Sequence, residues 1–381
     1  MDIVIASRIY RPEPGAAPIY LGAVVDEATS RGHSVRVLTV NLPKRRKRLP
    51  TLEKIKSFPV LRDREGYVRG YIQYMSFDIP LACRLLFSKK PDVVFVEPPP
   101  TTGAVARVIC KMRGIPYVYR AADLWSEAAA HATKSQTVLS ILRRIEKFAL
   151  NGAKALTTVS SNARNRILEL APAAEVIVAG TGADTDSFHY SQAPISPYFI
   201  YAGTFTELHG AQILIPAFAK LLRQKPEFRL IFVGNSTVKD EIMAAARELN
   251  IADRVEILDP RPVSELLPLL QSATASLATL DPQGGYEFAF TTKIYSSLAA
   301  GCPVIFSGVG PTKDFLDENP ELFSLHTNYA VDEIYEAMLQ FANAPLHDSS
   351  RRAVADWTAE NFSLKAAGRT VVNVLEKAAA S

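Results

Sequence analysis

Residues 284–305 of this 381-residue chain read GGYEFAFTTKIYSSLAAGCPVI, and this stretch decides the fold class. The glycine pair predicts a loop, and the apolar spacing that follows predicts a short amphipathic helix from Thr292 to Ala300. Gly301 stands where a glycine ends a helix, and Pro303 leads into an apolar run that indicates a buried strand. A loop, a helix and a buried strand in this order are typical of an α/β domain.

The loop before this helix is a candidate anion site. Backbone N–H groups at a helix N-terminus lack partners within the helix and carry its positive dipole end. Lys293, in the predicted first turn, would add a full positive charge. An ordinary loop–helix–strand unit would look the same, so the stretch alone leaves a binding site and plain scaffold both open.

The second half of the chain repeats one pattern, in which an apolar run is followed by a polar loop and a helix. The predicted strands are 198–202, 228–233, 255–258 and 275–280, and the predicted helices are 211–222, 238–249 and 263–272. Two loops that follow strands would suit a diphosphate, because glycines and hydroxyls precede a helix in both. They run from Gly203 to Gly210 and from Gly234 to Thr237.

The first half has the same alternation. Its predicted strands are 3–7, 34–39, 92–97, 116–120, 155–160 and 176–179, and its clearest helices are 20–32 and 139–150. Strands that are apolar along their whole length indicate parallel sheets covered on both faces. We therefore predict an α/β chain of two doubly wound, Rossmann-like domains facing a cleft. The predicted ranges are an N-terminal domain over 1–190, a C-terminal domain over 191–360 that opens on a Ser- and Pro-rich linker (191–197), and a final helix in 361–381 that packs back on the first domain.

Composition excludes several classes of protein. Hydrophobic residues make up 48% and charged residues 22% of the chain, as in globular rather than disordered or fibrous proteins. No apolar run has the length of a bilayer span, and an apolar strand directly after Met1 and Asp2 leaves no basic leader, so we expect a cytoplasmic protein. Three widely separated cysteines indicate neither a disulfide framework nor a metal site. The motifs of zinc hydrolases, nucleophile elbows, P-loops and dinucleotide sites do not occur.

The net charge is only +4, but it is unevenly distributed. Residues 41–90 hold 13 Lys or Arg against 4 Asp or Glu, and five of these cations are consecutive, from Lys44 to Arg48. A solvated loop would carry such a run, and so would a segment that binds anionic lipid, where each cation contributes about 1 kcal/mol. Nucleic acid is not expected as a partner, because no aromatic interleaving or nucleic-acid module accompanies the run.

Loops that follow strands of the first half also hold candidate site residues. Ligands bind outside the C-terminal ends of parallel strands, so these loops are where chemistry is expected. Gly15 and Ala16 open a helix where small residues let the backbone approach a phosphate or a sugar. Asp123, three residues after Arg120, is a candidate site carboxylate, although a helix N-cap would also explain it. Glu97, held before three prolines, is a further candidate.

Taken together, these residues resemble glycosyltransferase family 4, the retaining nucleotide-sugar enzymes with the GT-B fold. The resemblance covers nearly the whole chain, and the order and spacing of its segments make it specific. The segments are Pro14-Gly15-Ala16, Arg31-Gly32-His33-Ser34-Val35, Ala155 to Ser160 (ALTTVS), Gly182 to Phe188 (GADTDSF) and LAAGCPVI within the opening stretch.

The chain departs from the family's pattern at the implied donor site. Thr204 stands where the family usually has an arginine, and His209 stands where it usually has a lysine. The family's pair of glutamates seven residues apart is also incomplete. Ser296 takes the place of the second, and Phe288, with Glu287 beside it, takes the place of the first. One hydroxyl then replaces a carboxylate that would accept two, which implies an altered ribose contact.

One branch of the family is similar in two further places, Thr292-Lys293 and the DLWSE segment that begins at Asp123. That branch resembles the enzymes that transfer N-acetylated amino sugars in surface polysaccharide assembly. The resemblance implies a retaining hexosyl- or N-acetylhexosaminyltransferase that takes a nucleotide-diphosphate sugar and a glycan or lipid-linked acceptor. The basic run from Lys44 to Arg48 lies in the domain where this fold admits acceptors, so it favours a cytoplasmic enzyme that is peripheral on the inner face of the cell membrane. No cofactor or metal is expected, because fixed dipoles and cations stabilise the leaving group.

The resemblance also implies residue roles. Lys293 would supply the phosphate charge that Thr204 lacks, and Asp123 would position the acceptor or the sugar before it acts as a base. Glu97 and Arg120 would lie on the acceptor side. The donor-binding residues would be Gly15, Ala16, Gly203, Thr204, His209, Gly234, Arg261, Glu287, Thr292, Lys293 and Ser296. Two other functions stay open: a nucleotide-sugar epimerase of the same fold, and a non-catalytic nucleotide-sugar-binding partner of another transferase.

Overall fold

The computed structural model describes residues 1–13, 16–42, 52–63, 68, 70–122, 124–132, 135–284 and 290–380, with the backbone alone for residues 16, 71, 128 and 130–132. Two compact units make up the chain. The first combines Met1–Thr181 with Leu364–Ser381, and the second is Gly182–Ser363.

The helices and strands alternate along most of the chain. Up to Thr181 they are β1 (Asp2–Ala6), α1 (Ala16–Ser30), β2 (Ser34–Val40), β3 (Lys54–Phe58), α2 (Tyr71–Phe87), β4 (Val93–Val96), α3 (Pro100–Arg113), β5 (Tyr117–Arg120), α4 (Trp125–Ala132), α5 (Gln136–Leu150), β6 (Ala155–Thr158), α6 (Ser161–Leu170) and β7 (Val176–Val178). In the second unit they are β8 (Ser196–Ala202), α7 (Leu214–Leu222), β9 (Arg229–Val233), α8 (Lys239–Glu248), β10 (Val255–Leu258), α9 (Val263–Ser272), β11 (Ala273–Thr279), α10 (Ile294–Ala299), β12 (Val304–Ser307), α11 (Pro311–Glu318), β13 (Leu325–Thr327), α12 (Val331–Asn343) and α13 (Asp348–Asn361). Finally, α14 (Leu364–Ala379) belongs to the first unit.

The first unit is built on a parallel sheet in the order β3-β2-β1-β4-β5-β6-β7. Alternate residues of a strand point to opposite faces of a sheet. Val4 of β1 accordingly packs in a cluster with Phe77 of α2, whereas Ile5 packs in a different cluster with Val371 of α14. Burial on both faces explains why the central strands β1 and β4 are almost continuously apolar.

The second unit has a parallel sheet of the same design, in the order β10-β9-β8-β11-β12-β13. Its first strand in the chain, β8, is central, and the strand order reverses between β8 and β11. On one face, Phe199 of β8 packs with Phe218 of α7, and on the other, Ile200 packs with Leu270 of α9. The prediction of an α/β chain with two doubly wound parallel sheets is confirmed.

The helix of the opening stretch, α10, ends as the sequence predicts. Gly301 has a φ of +73° and donates its N–H to the carbonyl of Leu298 at 2.9 Å, while Cys302 donates to the carbonyl of Ser297 at 2.9 Å. These two bonds form a Schellman motif, which satisfies carbonyl groups at the end of the helix. The start differs from the prediction, because the helix begins at Ile294 and not at Thr292.

Several elements differ from the sequence analysis. It missed β3, α2 and β13, the first of which lies within the basic segment. The linker predicted at 191–197 overlaps the start of β8 at Ser196, and the two compact units divide after Thr181 and after Ser363 where the sequence analysis has 190 and 360. In the part of the chain that the structure describes, no helix combines the length and the apolar character that crossing a bilayer requires.

Candidate functional site

The reversal of strand order between β8 and β11 marks the binding edge of the second sheet. In open parallel sheets, ligands bind beyond the C-terminal ends of the strands at such a reversal. Here β8 leads into Gly203, and β11 leads into Leu280 and Asp281. The N–H of Asp281 donates to the carbonyl of Leu208 at 3.3 Å, so the two loops are joined.

Gly203 and Gly234 end β8 and β9 with the backbone in conformations that favour glycine, with φ of +133° and +149°. A Cβ atom on Gly234 would lie 2.1 Å from the carbonyl oxygen of Gly203. A Cβ atom on Gly203 would lie 3.3 Å from the Cβ atom of Lys293. The close approach of these two backbones therefore depends on glycine, and Lys293 packs directly against them.

Lys293 is the N-cap of α10, and its side chain turns back to β8. Its Nζ atom donates to the Oη atom of Tyr201 at 2.6 Å and to the carbonyl oxygen of Thr204 at 2.7 Å. The same atom lies 4.4 Å from the centroid of the Tyr201 ring, which adds a cation–π contact. Tyr201 is fully buried against Phe205 and Phe232, so a rigid group fixes the position of the ammonium.

The charge of Lys293 is poorly compensated. Burial lowers the pKa of its ammonium to about 7, because a low-dielectric environment disfavours the charged form. Among the residues that the structure describes, no carboxylate forms an ion pair with Nζ, and its recorded partners are a phenol and a carbonyl. A partly buried ammonium with neutral partners is stabilised by a bound anion.

His209 lies in the 3₁₀ turn Glu207–His209, which follows β8. Its Nδ1 atom accepts a hydrogen bond from the N–H of Thr206 at 3.2 Å, which leaves the ring hydrogen on Nε2. Burial, together with the positive charge of Lys293, lowers the pKa of His209 to about 4. The ring is therefore neutral near pH 7 and offers a donor without adding a second cation to the site.

The remaining donor-side candidates differ in exposure and in their recorded partners. Thr204 is exposed and contributes its carbonyl to Lys293, and Thr292 is exposed beside it in the chain. Ser296 is half-buried on α10. Arg261 follows β10, where it is exposed and donates to Glu265 at 3.1 Å. Glu287 lies outside the described residues.

Two tyrosines of this region escaped the sequence analysis. Tyr201 sits within an apolar strand and looks like a core residue, although a phenol near the C-terminal end of the central strand was a usable signal. Tyr329 donates its Oη hydrogen to the carbonyl of Gly210 at 2.7 Å, and its ring occupies the space where a Cβ atom on Gly210 would project. Nothing in the sequence pattern around Tyr329 indicates this contact, because the two segments are far apart in the chain.

In the first unit, the structure brings together the two acceptor-side candidates. The Nη1 atom of Arg120 lies 3.1 Å from the Oε1 atom of Glu97, and both side chains are buried. The guanidinium also lies 3.8 Å from the centroid of the Tyr20 ring. Each charge thus compensates the other, and removal of either side chain would leave the other charge buried without this partner.

For the other candidate residues of the first unit, the structure records no side-chain contact that bears on their predicted roles. Gly15 and Asp123 lie outside the described residues, and Ala16 is the first residue of α1. Near the start of α4, the carboxylate of Glu146 accepts the N–H groups of Trp125 at 2.7 Å and Ser126 at 3.1 Å. Burial raises the pKa of Glu146.

Arg8, in the loop after β1, is a residue that the sequence analysis missed. Its guanidinium donates to the carbonyl of Val68 at 2.6 Å and to that of Pro98, after β4, at 3.4 Å. It lies 4.5 Å from the ring centroid of Tyr74 and 5.4 Å from that of Trp125. Arg8 therefore links the two loops at the reversal of strand order in the first sheet.

Family models match both halves of the chain. Residues 15–182 match the model described as a glycosyl transferase 4-like domain, and residues 196–344 match the model of glycosyl transferases group 1. Together the two models cover most of the sequence. The chain belongs to the GT4-like glycosyltransferases.

Individual relatives agree with this assignment. This glycosyltransferase is 25% identical over 297 residues to D-inositol 3-phosphate glycosyltransferase of Corynebacterium aurimucosum, a match that covers 72% of this chain and 69% of that protein. Its fold is similar to that of sucrose-phosphate synthase from Thermosynechococcus elongatus, with a TM-score of 0.73, 16% identity and full coverage of both chains. HepE of Anabaena, solved in complex with UDP, has a TM-score of 0.71 and 14% identity over 99% of this chain and 100% of its own. These structures confirm the predicted GT-B fold.

The described part of this glycosyltransferase holds no group of three His, Cys, Asp or Glu side chains that could bind a metal ion. Glu287 and Asp123 lie outside that part. The expectation that no metal is required therefore stays a prediction.

Proposed function

We propose that this glycosyltransferase transfers a hexosyl or N-acetylhexosaminyl group from a nucleotide-diphosphate sugar to a glycan or lipid-linked acceptor, with retention of configuration. The observation that carries the proposal is the position of Lys293. A partly buried ammonium, with a pKa near 7 and neutral partners, lies at the reversal of strand order, where a doubly wound sheet binds its ligand. The solved UDP complex of HepE supports a nucleoside diphosphate as that ligand.

The leaving group explains why a cation is useful at this point. In the proposed reaction, the bond between the anomeric carbon and the diphosphate oxygen breaks, and the acceptor oxygen bonds to the same carbon from the same face. The proton of the acceptor hydroxyl passes to the departing diphosphate oxygen, so the products are a nucleoside diphosphate and a glycoside. Negative charge grows on the diphosphate as the bond breaks, and a fixed ammonium stabilises that charge without reorganising.

The other residues are assigned around this step. Gly203 and Gly234 have no side chain, so a diphosphate can approach the backbone closely. His209 donates a hydrogen bond to the diphosphate through Nε2–H, and as a neutral ring it does not repel Lys293. Ser296 is assigned to the ribose and Asp123 to positioning of the acceptor. Glu97 and Arg120, the buried ion pair, are assigned to the acceptor side.

The acceptor is proposed from charge. The run from Lys44 to Arg48 favours an acceptor at an anionic membrane surface on the cytoplasmic side, in surface polysaccharide or glycoconjugate synthesis. The name of the C. aurimucosum relative adds a soluble phosphorylated polyol as a second class of acceptor to be assayed.

A turnover assay tests the proposal. Purified protein is incubated with UDP- and GDP-linked hexoses and N-acetylhexosamines, with and without lipid-linked acceptors, and release of nucleoside diphosphate is measured. Lys293→Ala should reduce kcat/KM by roughly 100- to 1,000-fold, as loss of an oxyanion donor does elsewhere. Lys220→Ala is the matched control, because Lys220 is a lysine of the same unit that pairs with Asp332 at the surface.

The outcome also separates the two other functions. An epimerase would convert the donor sugar to an isomer without releasing nucleotide. A non-catalytic partner would bind the donor without changing it. Either result, or a Lys293→Ala variant as active as the Lys220→Ala control, would contradict the proposal.

A further inference from the structure

Helix α2 exposes large apolar side chains on the face that points away from its sheet. Ile72, Met75 and Ile79 are 68%, 56% and 60% exposed, and Phe87, at the end of the helix, is 81% exposed. Ile72, Met75 and Ile79 follow one another at spacings of three and four residues, so they share one side of the helix. Contiguous apolar surface of this kind marks an interaction site.

The opposite face of α2 already has its partner. Phe77, Leu81 and Leu85 are buried in the core of the first unit. Asp78, the carboxylate of this helix, is buried with them and accepts a hydrogen bond from the Oγ1 atom of Thr102 at 2.6 Å. A surface helix normally turns charged residues outward, whereas α2 has a second apolar face that the core does not use.

The neighbouring helix α3 extends this surface. Val108 and Met112 of α3 are 46% and 68% exposed and lie four residues apart. Arg113 reaches across to α2 and donates to the carbonyl of Ser88 at 3.0 Å. Met112 and Phe87 therefore lie at the same end of the helix pair.

Exposed cations border the apolar residues. Lys89 and Lys90 are exposed just after Ser88, the C-cap of α2, and Lys54 and Lys56 are exposed on the edge strand β3. Lys54 and Lys56 share a sheet face with Phe58, because alternate residues of a strand point the same way. Phe58 stacks on a ring of α2 at 5.4 Å, so this is the face that α2 covers. One of these cations, Lys89, lies 3.4 Å from a carboxylate of Asp2 but remains 81% exposed.

We propose that this surface, formed by the outer face of α2 with Val108 and Met112 of α3, binds an anionic lipid bilayer. The apolar side chains would enter the boundary between headgroups and acyl chains, while Lys54, Lys56, Lys89 and Lys90 would lie level with the lipid phosphates. The positive charge of this surface favours an anionic bilayer over a second copy of the chain as the partner. A two-fold symmetric contact would place this positive surface against itself, and like charges across an interface oppose association.

The proposal deepens the membrane contact proposed from Lys44 to Arg48 and rests on the proposed membrane-surface function, but its residues are different. Binding that depends on charge alone would be lost at high salt, because the screening length between exposed charges falls from about 10 Å at 0.1 M salt to about 3 Å at 1 M. Apolar insertion would persist. The two contributions can therefore be separated in one assay.

The test is sedimentation of the full chain with vesicles of phosphatidylcholine containing phosphatidylglycerol, and with vesicles of phosphatidylcholine alone, at 0.1 M and 0.5 M NaCl. The test variant is I72Q/M75Q/I79Q, in which glutamine keeps helix propensity at exposed positions. The control is Leu249→Gln, which removes a side chain of the second unit that is 43% exposed. Thermal unfolding and nucleoside diphosphate release with a water-soluble acceptor are measured on each protein, so that loss of fold or of catalysis is distinguished from loss of docking.

We expect wild type and Leu249→Gln to bind anionic vesicles and to keep part of that binding at 0.5 M NaCl. The triple variant should bind roughly 100-fold more weakly, since each apolar side chain withdrawn from the bilayer costs on the order of a factor of five. Equal binding by the triple variant and wild type would overturn the proposal, and so would absence of wild-type binding to anionic vesicles. A wild-type dimer in sedimentation velocity that the triple variant loses would assign the surface to a second copy and would also overturn it.

Discussion

The ammonium of Lys293 lies 2.6 Å from the phenol oxygen of Tyr201, which is fully buried and in ring contact with Phe205 and Phe232. The lysine reaches back from the N-terminus of α10 to the central strand β8 to make this contact. A cation held by a neutral, immobile group at the binding edge of the sheet is ready for an anionic ligand, because little rearrangement is needed when the ligand arrives.

Removing the phenol oxygen should weaken the site without breaking the core. Tyr201→Phe keeps the ring that packs against Phe205 but removes an acceptor of the Lys293 hydrogen bond. A hydrogen bond to a charged group contributes about 1.5–3 kcal/mol, part of which the second acceptor, the Thr204 carbonyl, retains. We expect affinity for UDP, measured by calorimetry, to fall about tenfold with little change in Tm. An unchanged affinity would show that Tyr201 does not position Lys293.

Binding of a diphosphate should be accompanied by proton uptake. The free ammonium of Lys293 has a pKa of about 7, and a bound dianion raises that pKa. The protonated form binds better, so the contribution of Lys293 to affinity is full below pH 7 and falls, by up to about tenfold per pH unit, as pH rises above 7 toward the pKa of the complex. Calorimetry at pH 8 in buffers of different ionisation enthalpy should show uptake of close to one proton. Lys293→Met should show none, and the same uptake in both proteins would contradict the assignment.

Substitution of the glycines that follow β8 and β9 should destabilise the protein more than their backbone angles alone suggest. Gly234→Ala would place a Cβ atom 2.1 Å from the carbonyl oxygen of Gly203, in addition to straining a residue at a φ of +149°. We expect a loss of about 3 kcal/mol or more in the free energy of unfolding, measured with urea. Gly32→Ala is the control, since Gly32 has a φ of +80° and open space around its Cβ position, and it should cost about 1–2 kcal/mol. Equal costs would mean that the loops after β8 and β9 can separate.

The two members of the buried ion pair, Glu97 and Arg120, should depend on each other for their contribution to stability. Glu97→Ala leaves the Arg120 guanidinium without its carboxylate, which we expect to cost about 3–5 kcal/mol of unfolding free energy. The double variant Glu97→Ala with Arg120→Ala should cost less than the sum of the two single variants, as measured in a double-mutant cycle. Additive costs would show that the two charges do not stabilise each other, and would favour separate roles at the acceptor side.

How far sequence predicts this structure depends on what each element packs against. β8, with Phe199 and Ile200, and β12 are buried on both faces, so their continuous apolar runs identify them. β3, at the edge of its sheet, has one exposed cation on each side of Ile55, so it lacks the continuous apolar run that identifies a buried strand. α2 was missed because it is apolar on both sides and lacks the helical periodicity that a single buried face produces.

The candidate site was predictable in outline only. Gly203, Gly234 and Lys293 each follow or precede an apolar element, and that placement points to the binding edge of a doubly wound sheet. Tyr201 and Arg8 were not predictable in the same way, because their roles come from contacts with residues distant in the chain. A lysine pKa near 7 likewise depends on burial, which no local pattern of residues records.

The central claim is that Lys293 binds the diphosphate of a nucleotide-sugar donor, and paired calorimetric titrations with UDP and with uridine test it most directly. Lys293→Met loses a charge-assisted contact that contributes about 2–3 kcal/mol. We therefore expect this variant to bind UDP roughly 30- to 150-fold more weakly than wild type. Uridine lacks phosphate, so its affinity should be the same for wild type, Lys293→Met and a Lys220→Met control. UDP affinity that is unchanged in Lys293→Met, or a loss of equal size for uridine, would contradict the account.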